Sequence, residues 1–120
     1  MRKIVLLAML AGSINTAQAS LNGNDLYEGA LAKDRIDDKR SASPEDAMQA
    51  GVFMGYVMSS GDYTQGLDYV CYPRDTTNAQ KFDIVFNYLK AHPEKRTDSA
   101  ALITFNALHD VYPCKSKKQG

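Results

Sequence analysis

The chain has 120 residues, 14 of them Lys or Arg and 14 Asp or Glu, so it is formally neutral. That length suits one domain around one core, and the balanced charge excludes a nucleic-acid partner, which needs a dominant basic face. With two cysteines, two histidines and no tryptophan there is little material for a metal centre or a catalytic constellation.

At the N-terminus, Arg2 and Lys3 precede an apolar run over residues 4–11, and Ala17-Gln18-Ala19 supplies the small-x-small pattern of a cleavage site. The run is too short to cross a bilayer. Residues 1–19 therefore read as a signal peptide and 20–120 as a single mature domain delivered to an oxidising periplasm, with no membrane partner. Loss of Arg2 and Lys3 leaves 12 basic residues against 14 acidic, a net charge of about −2. Lys115, Lys117 and Lys118 form a solvated tail.

The mature chain opens on Asn22-Gly23-Asn24, with Asn24 available as a cap. Leu26, Tyr27, Ala30, Leu31 and Ile36 then share one face of a short first helix, which Gly29 weakens. Residues 34–43 are polar and read as a link. In the second helix Ser43 is the expected N-cap and Pro44 the first position, and Glu45 and Asp46 suit the positive end of the helix dipole. Ala47, Ala50, Gly51, Met54, Val57 and Met58 follow helical spacing, while Phe53 and Tyr56 make the other side apolar too. A helix apolar over so much of its circumference is expected to be covered on two sides, which points to a homodimer through Phe53, Met54 and Met58. Gly51 and Gly55 would let a neighbouring helix come close.

Ser59-Ser60-Gly61 reads as the end of that helix, and a tyrosine-bearing loop runs from there to Cys71. Its mixture of tyrosines and small polar groups resembles a binding surface, although the rings would also serve simply to pack the loop on the core. The third helix starts at Thr76 or Thr77, where Thr77 and Gln80 have capping-box spacing. Phe82, Val85, Phe86 and Leu89 mark its inner face, and Pro93 closes it. The fourth starts near Thr97 or Asp98, turns Ala101, Leu102, Phe105, Leu108 and Tyr112 inward, and stops at Pro113. No strand pattern competes, so the expected fold is an all-α, four-to-five-helix compact domain. A short link makes the last two helices antiparallel neighbours. That brings Cys71, before one helix, beside Cys114, after the other, and predicts a disulfide-clamped hairpin.

Catalysis has poor support. His92 precedes a proline at a helix end, and His109 and Asp110, adjacent on a helix, do not face each other. Cys71 is expected to be paired rather than nucleophilic. The cysteines and histidines lack the close pairs of a structural zinc site. Neither an enzyme nor a cofactor or metal is expected.

Gly55-Tyr56-Val57, Asp62, Cys71-Tyr72-Pro73, Gln80, the apolar run 85–89, His92-Pro93-Glu94, Ala107-Leu108 and Tyr112-Pro113-Cys114 stand in the order and spacing of one family. The chain resembles the Rap/Tai family, periplasmic immunity proteins against type VI secretion amidases, over roughly residues 22–114. One departure is that many relatives carry another cysteine pair between the first two helices. The resemblance implies a small helical protein, often dimeric, that occludes the active site of a peptidoglycan amidase toxin. The contact residues expected for that role are Asp62, Tyr63, Gln65, Asp68 and Tyr69, with the Glu94-Lys95-Arg96 turn as the competing surface. From another class, a small periplasmic acid-stress chaperone with a single disulfide would share the length, helicity and staple.

Overall fold

Short polar side chains set where the helices begin. Residues 20–115 are described by a computed structural model. It contains α1 (Gly23–Asp37), α2 (Pro44–Gly66), α3 (Asn78–Ala91) and α4 (Ala100–Val111), with a 3-10 turn at Pro93–Lys95 before α4. The expected signal peptide and all but Lys115 of the lysine tail lie outside the described residues. Asn22, rather than Asn24, caps α1. Its side-chain oxygen accepts from the amides of Asn24 and Asp25 at 2.9 and 3.2 Å, and its own amide donates to Asp25 at 2.8 Å. The same reciprocal box joins Ser43 to Asp46 and Thr77 to Gln80, as their spacing predicts. Ser99 caps α4 through the Leu102 amide, just beyond the expected Thr97 or Asp98.

The helix ends depart further from expectation. α1 runs to Asp37, through the start of the polar link, and α2 passes straight through Ser59-Ser60-Gly61 to Gly66. Both stop in the same way. The amide one residue past the cap reaches back to a carbonyl (Lys39 to Ile36 at 3.1 Å, Asp68 to Gln65 at 3.0 Å). The next amide reaches further (Arg40 to Arg35 and Tyr69 to Thr64, each 3.0 Å). This is the Schellman motif. Its left-handed position, usually glycine, is filled here by Lys39 (φ 54°) and Asp68 (φ 59°).

α1 and α2 pack antiparallel, with Arg35 paired to Asp46 at the linked end. The crossing is close at Gly29, where a Cβ would lie 2.7 Å from both the Gln49 carbonyl oxygen and the Phe53 Cβ. Gly29 is therefore the close-approach residue of the pair, a role the sequence assigned to Gly51 and Gly55. Those two face open space, with nothing within 4 Å of where a Cβ would stand. The core gathers Leu26 and Ala30 of α1, Phe53 and Val57 of α2, Val85 and Leu89 of α3, and Ile103 and Leu108 of α4.

Two pins close the bundle. At one end Asn22 and Ser99 form an antiparallel β-bridge, Gly23 donates to the Asp98 carbonyl at 3.0 Å, and Ala100 donates to Leu21 at 2.9 Å. At the other, Val70 bridges Pro113, the Cys71 amide donates to Tyr112 at 2.9 Å, and Cys71 and Cys114 are bonded. Their Cα atoms are 4.9 Å apart across a sequence separation of 43. The expected clamp is thus present, and backbone hydrogen bonds reinforce it.

Candidate functional site

α2 ends on a helical face made of Ser60, Tyr63, Thr64 and Leu67, which follow i, i+3, i+4, i+7 spacing. The Schellman turn then folds the chain back, so that Tyr69, two residues past the cap, returns over Tyr63 and Thr64. Hydrophobic contact between those positions is the usual companion of the motif. Ala101 and Phe105 of α4 form the opposite wall. The result is an open groove of about 330 Å³ whose lining is almost wholly apolar. Tyr69 meets Phe105 edge-on at 6.2 Å between centroids, and Phe105 stacks on His109 at 5.2 Å. Tyr63 is 69% exposed and Tyr69 57%, so two large rings stand in water beside the exposed Leu67.

Behind this face, Gly61 touches the second half of the scaffold. A Cβ there would lie 2.8 Å from the Tyr72 hydroxyl. Tyr72 carries the buried Lys81 ammonium 4.3 Å above its ring, and Lys81 reaches Asp62 at 3.6 Å. Burial raises the Tyr72 phenol above its ordinary pKa. This cluster ties the end of α2 to the start of α3 and holds the groove from behind.

Of the expected contact residues, the structure places Tyr63 and Tyr69 in the groove and the others around it. Asp62 points away, to Lys81. Gln65 is exposed and contributes its carbonyl to the turn, and Asp68 sits at the turn's left-handed position with its side chain in solvent. Ser60, Thr64, Leu67, Ala101 and Phe105 were missed as site residues. The spacing of the first three was readable once α2 is carried past Gly61. Ala101 and Leu102 were expected inward and are exposed, because the inner stripe of α4 is Ala100, Ile103, Ala107 and Leu108.

Of the three residues expected at a subunit contact, Phe53 has no surface left to give. It is 1% exposed in the core, against Phe82. Met54 is half-buried and Met58 exposed, and Met58 shares the outer side of α2 with the exposed Met48 and Val52. His92 accompanies Glu94 at 3.2 Å on the hairpin turn and packs on Tyr88. Among the described residues no group of three or more His, Cys, Asp or Glu is arranged to hold a metal, and no helix is long and apolar enough to cross a membrane.

An open aromatic groove thus stands on a doubly pinned helical scaffold. The family model of the Rap1a immunity proteins matches residues 22–114. The chain belongs to the Rap1a immunity protein family. No individually curated protein matches it. The matched segment starts at Asn22, which caps α1 and bridges to Ser99, and ends at Cys114 of the clamp. In this Rap1a immunity chain the matched segment is therefore also the structurally closed unit, and the groove lies wholly inside it.

Proposed function

We propose that this protein is a periplasmic, non-enzymatic immunity protein that binds a type VI secretion peptidoglycan amidase and occludes its active site. Family membership supports the immunity role, and the groove of Tyr63, Leu67, Tyr69 and Phe105 is the observation that carries the binding reading. An inhibitor gains from surfaces already held in their bound shape, since little freedom is then lost on docking. The groove meets that condition, with a helix under one wall, another forming the second, and the clamp two residues beyond Tyr69. Exposed tyrosines in such a setting are typical affinity anchors.

The test is protection of host cells that export a type VI secretion peptidoglycan amidase. The full chain should prevent lysis, whereas the chain lacking residues 1–19 should not. Replacing Tyr63 and Tyr69 with alanine should weaken toxin binding by about 2 kcal/mol or more with the helical spectrum unchanged. Full binding by that variant, with loss in a Glu94/Lys95/Arg96 variant, would move the contact to the hairpin turn.

The same reading includes a homodimer through the outer side of α2, around Met48, Val52 and Met58. Light scattering should show a dimer at tens of micromolar that Val52→Lys dissociates. A monomer in the unsubstituted protein at that concentration refutes it.

A further inference from the structure

Both walls of the groove come from stretches of chain that carry no Lys or Arg. One runs from residue 41 to 73 and includes all of α2. The other runs from 97 to 114 and includes all of α4, with His109 as its one histidine. The charged residues next to lining residues in the chain are carboxylates. Asp68 stands between the lining residues Leu67 and Tyr69, exposed and without an ion pair among the described residues. Asp62, next to Tyr63, is paired with Lys81, but unevenly: the Lys81 side chain is 8% exposed and the Asp62 side chain 74%. What reaches solvent from that pair is the carboxylate.

The aromatic rings point the same way. Five Lys or Arg side chains lie over rings of this chain, on Phe82, Tyr72, Phe86, Tyr88 and Tyr27. Among the described residues none lies over Tyr63, Tyr69 or Phe105. A ring face attracts cations, and in the groove that capacity is unused. The space itself, about 330 Å³, is at the small end of binding clefts and admits one or two large side chains.

We propose that the groove takes an apolar side chain that the toxin presents between Lys or Arg residues. The apolar tip fills the space between α2 and α4, and the flanking cations meet Asp68 and the faces of Tyr63 and Tyr69. This rests on the immunity reading for the identity of the partner, while the charge and shape of the groove stand apart from it. A partner flanked by acidic residues would meet like charge and is selected against.

The experiment uses disulfide-cyclised β-hairpin peptides with Leu-Phe at the tip, flanked by two lysines, two glutamates or two serines. Each is titrated into the isotope-labelled mature protein, followed by amide chemical shifts. The lysine peptide should bind about tenfold more tightly than the glutamate peptide at low salt, with shifts centred on Tyr63, Leu67, Tyr69 and Phe105. In about 0.5 M salt the preference should fall to roughly twofold or less. Asp68→Asn, which keeps a residue tolerant of the left-handed conformation, should reduce it about threefold. Equal binding of the lysine and glutamate peptides, shifts centred elsewhere, or no binding of the lysine peptide would each overturn the proposal. So would self-association of the protein that Tyr63→Ala abolishes, because a second copy would then be the occupant. Neutralisation of the amidase without any peptide preference would discard this chemistry and keep the immunity role. A peptide preference without neutralisation would do the reverse.

Discussion

Asp68 shows how one side chain can be mistaken for another kind of residue. In the sequence it reads as a polar contact beside two tyrosines; in the structure its backbone sits at φ 59° and turns the chain so that Tyr69 joins Tyr63 in lining the groove. Glycine suits that conformation better than any residue with a Cβ. Asp68→Gly should raise stability by about 0.5–1 kcal/mol, and Asp68→Val should lower it by about 1–2 kcal/mol, both read by chemical denaturation. Asp68→Ala is consequently a poor probe of contact, since it disturbs the turn that positions Tyr69. Two other carboxylates link stability to pH. The Arg35 guanidinium, followed by the Ser43 amide, lowers the pKa of Asp46, and its own backbone amide and then His92 lower that of Glu94. A carboxylate with a lowered folded-state pKa stabilises the fold above its ordinary range and loses that contribution as pH falls through the folded value. The melting temperature should be nearly flat from pH 7 to about 5 and decline from about pH 4 downward, and Asp46→Asn should make the decline shallower.

At the level of the helix, glycine position decides the sign of a substitution. Gly29→Ala pushes a methyl group into Gln49 and Phe53 of α2 and should cost about 1–3 kcal/mol. Gly51→Ala and Gly55→Ala meet nothing among the described residues and should each add about 0.5–1 kcal/mol through helix propensity. Thermal unfolding of the three variants measures both effects. A loss of stability at Gly51 or Gly55 that disappears on dilution would place a second copy tightly against that side of α2. These residues also mark what was legible beforehand. The starts of α2 and α3 were legible because Ser43 and Thr77 cap through side chains at fixed spacing. The ends of α3 and α4 were legible too, from Pro93 and Pro113, but those of α1 and α2 were not, because Lys39 and Asp68 occupy positions where glycine is the usual signal. Ser59-Ser60-Gly61 looked like a stop, yet Gly61 is there to make room for Tyr72. The groove stayed hidden for the same reason, since Leu67 joins Tyr63 on one face only when α2 is carried through.

For the whole molecule the clamp was foreseeable from topology, and its worth follows from chain entropy. A loop of that length contributes about 4 kcal/mol, set against a total of about 5–15 kcal/mol for a domain of this size. Cys71→Ser with Cys114→Ser should therefore lose about 4 kcal/mol of unfolding free energy, measured in urea against the oxidised protein. The loss should be uneven. Tyr69 and Val70 adjoin the clamp, so their amides should gain hydrogen exchange before those of Gly23 and Ala100 at the opposite pin. Toxin binding should then weaken in the reduced protein while most of its helix remains.

That opposite pin also sets an order of events. Leu21 and Gly23, around the start of α1, are hydrogen-bonded to Ala100 and Asp98, around the start of α4. α1 and α2 can pair early through their short link, but the start of α1 has no fixed place until α4 exists. Final locking is a late, long-range closure, the kind of step that slows folding. A chain truncated after residue 96 should leave the Gly23 amide freely exchanging, however well α1 and α2 have already packed.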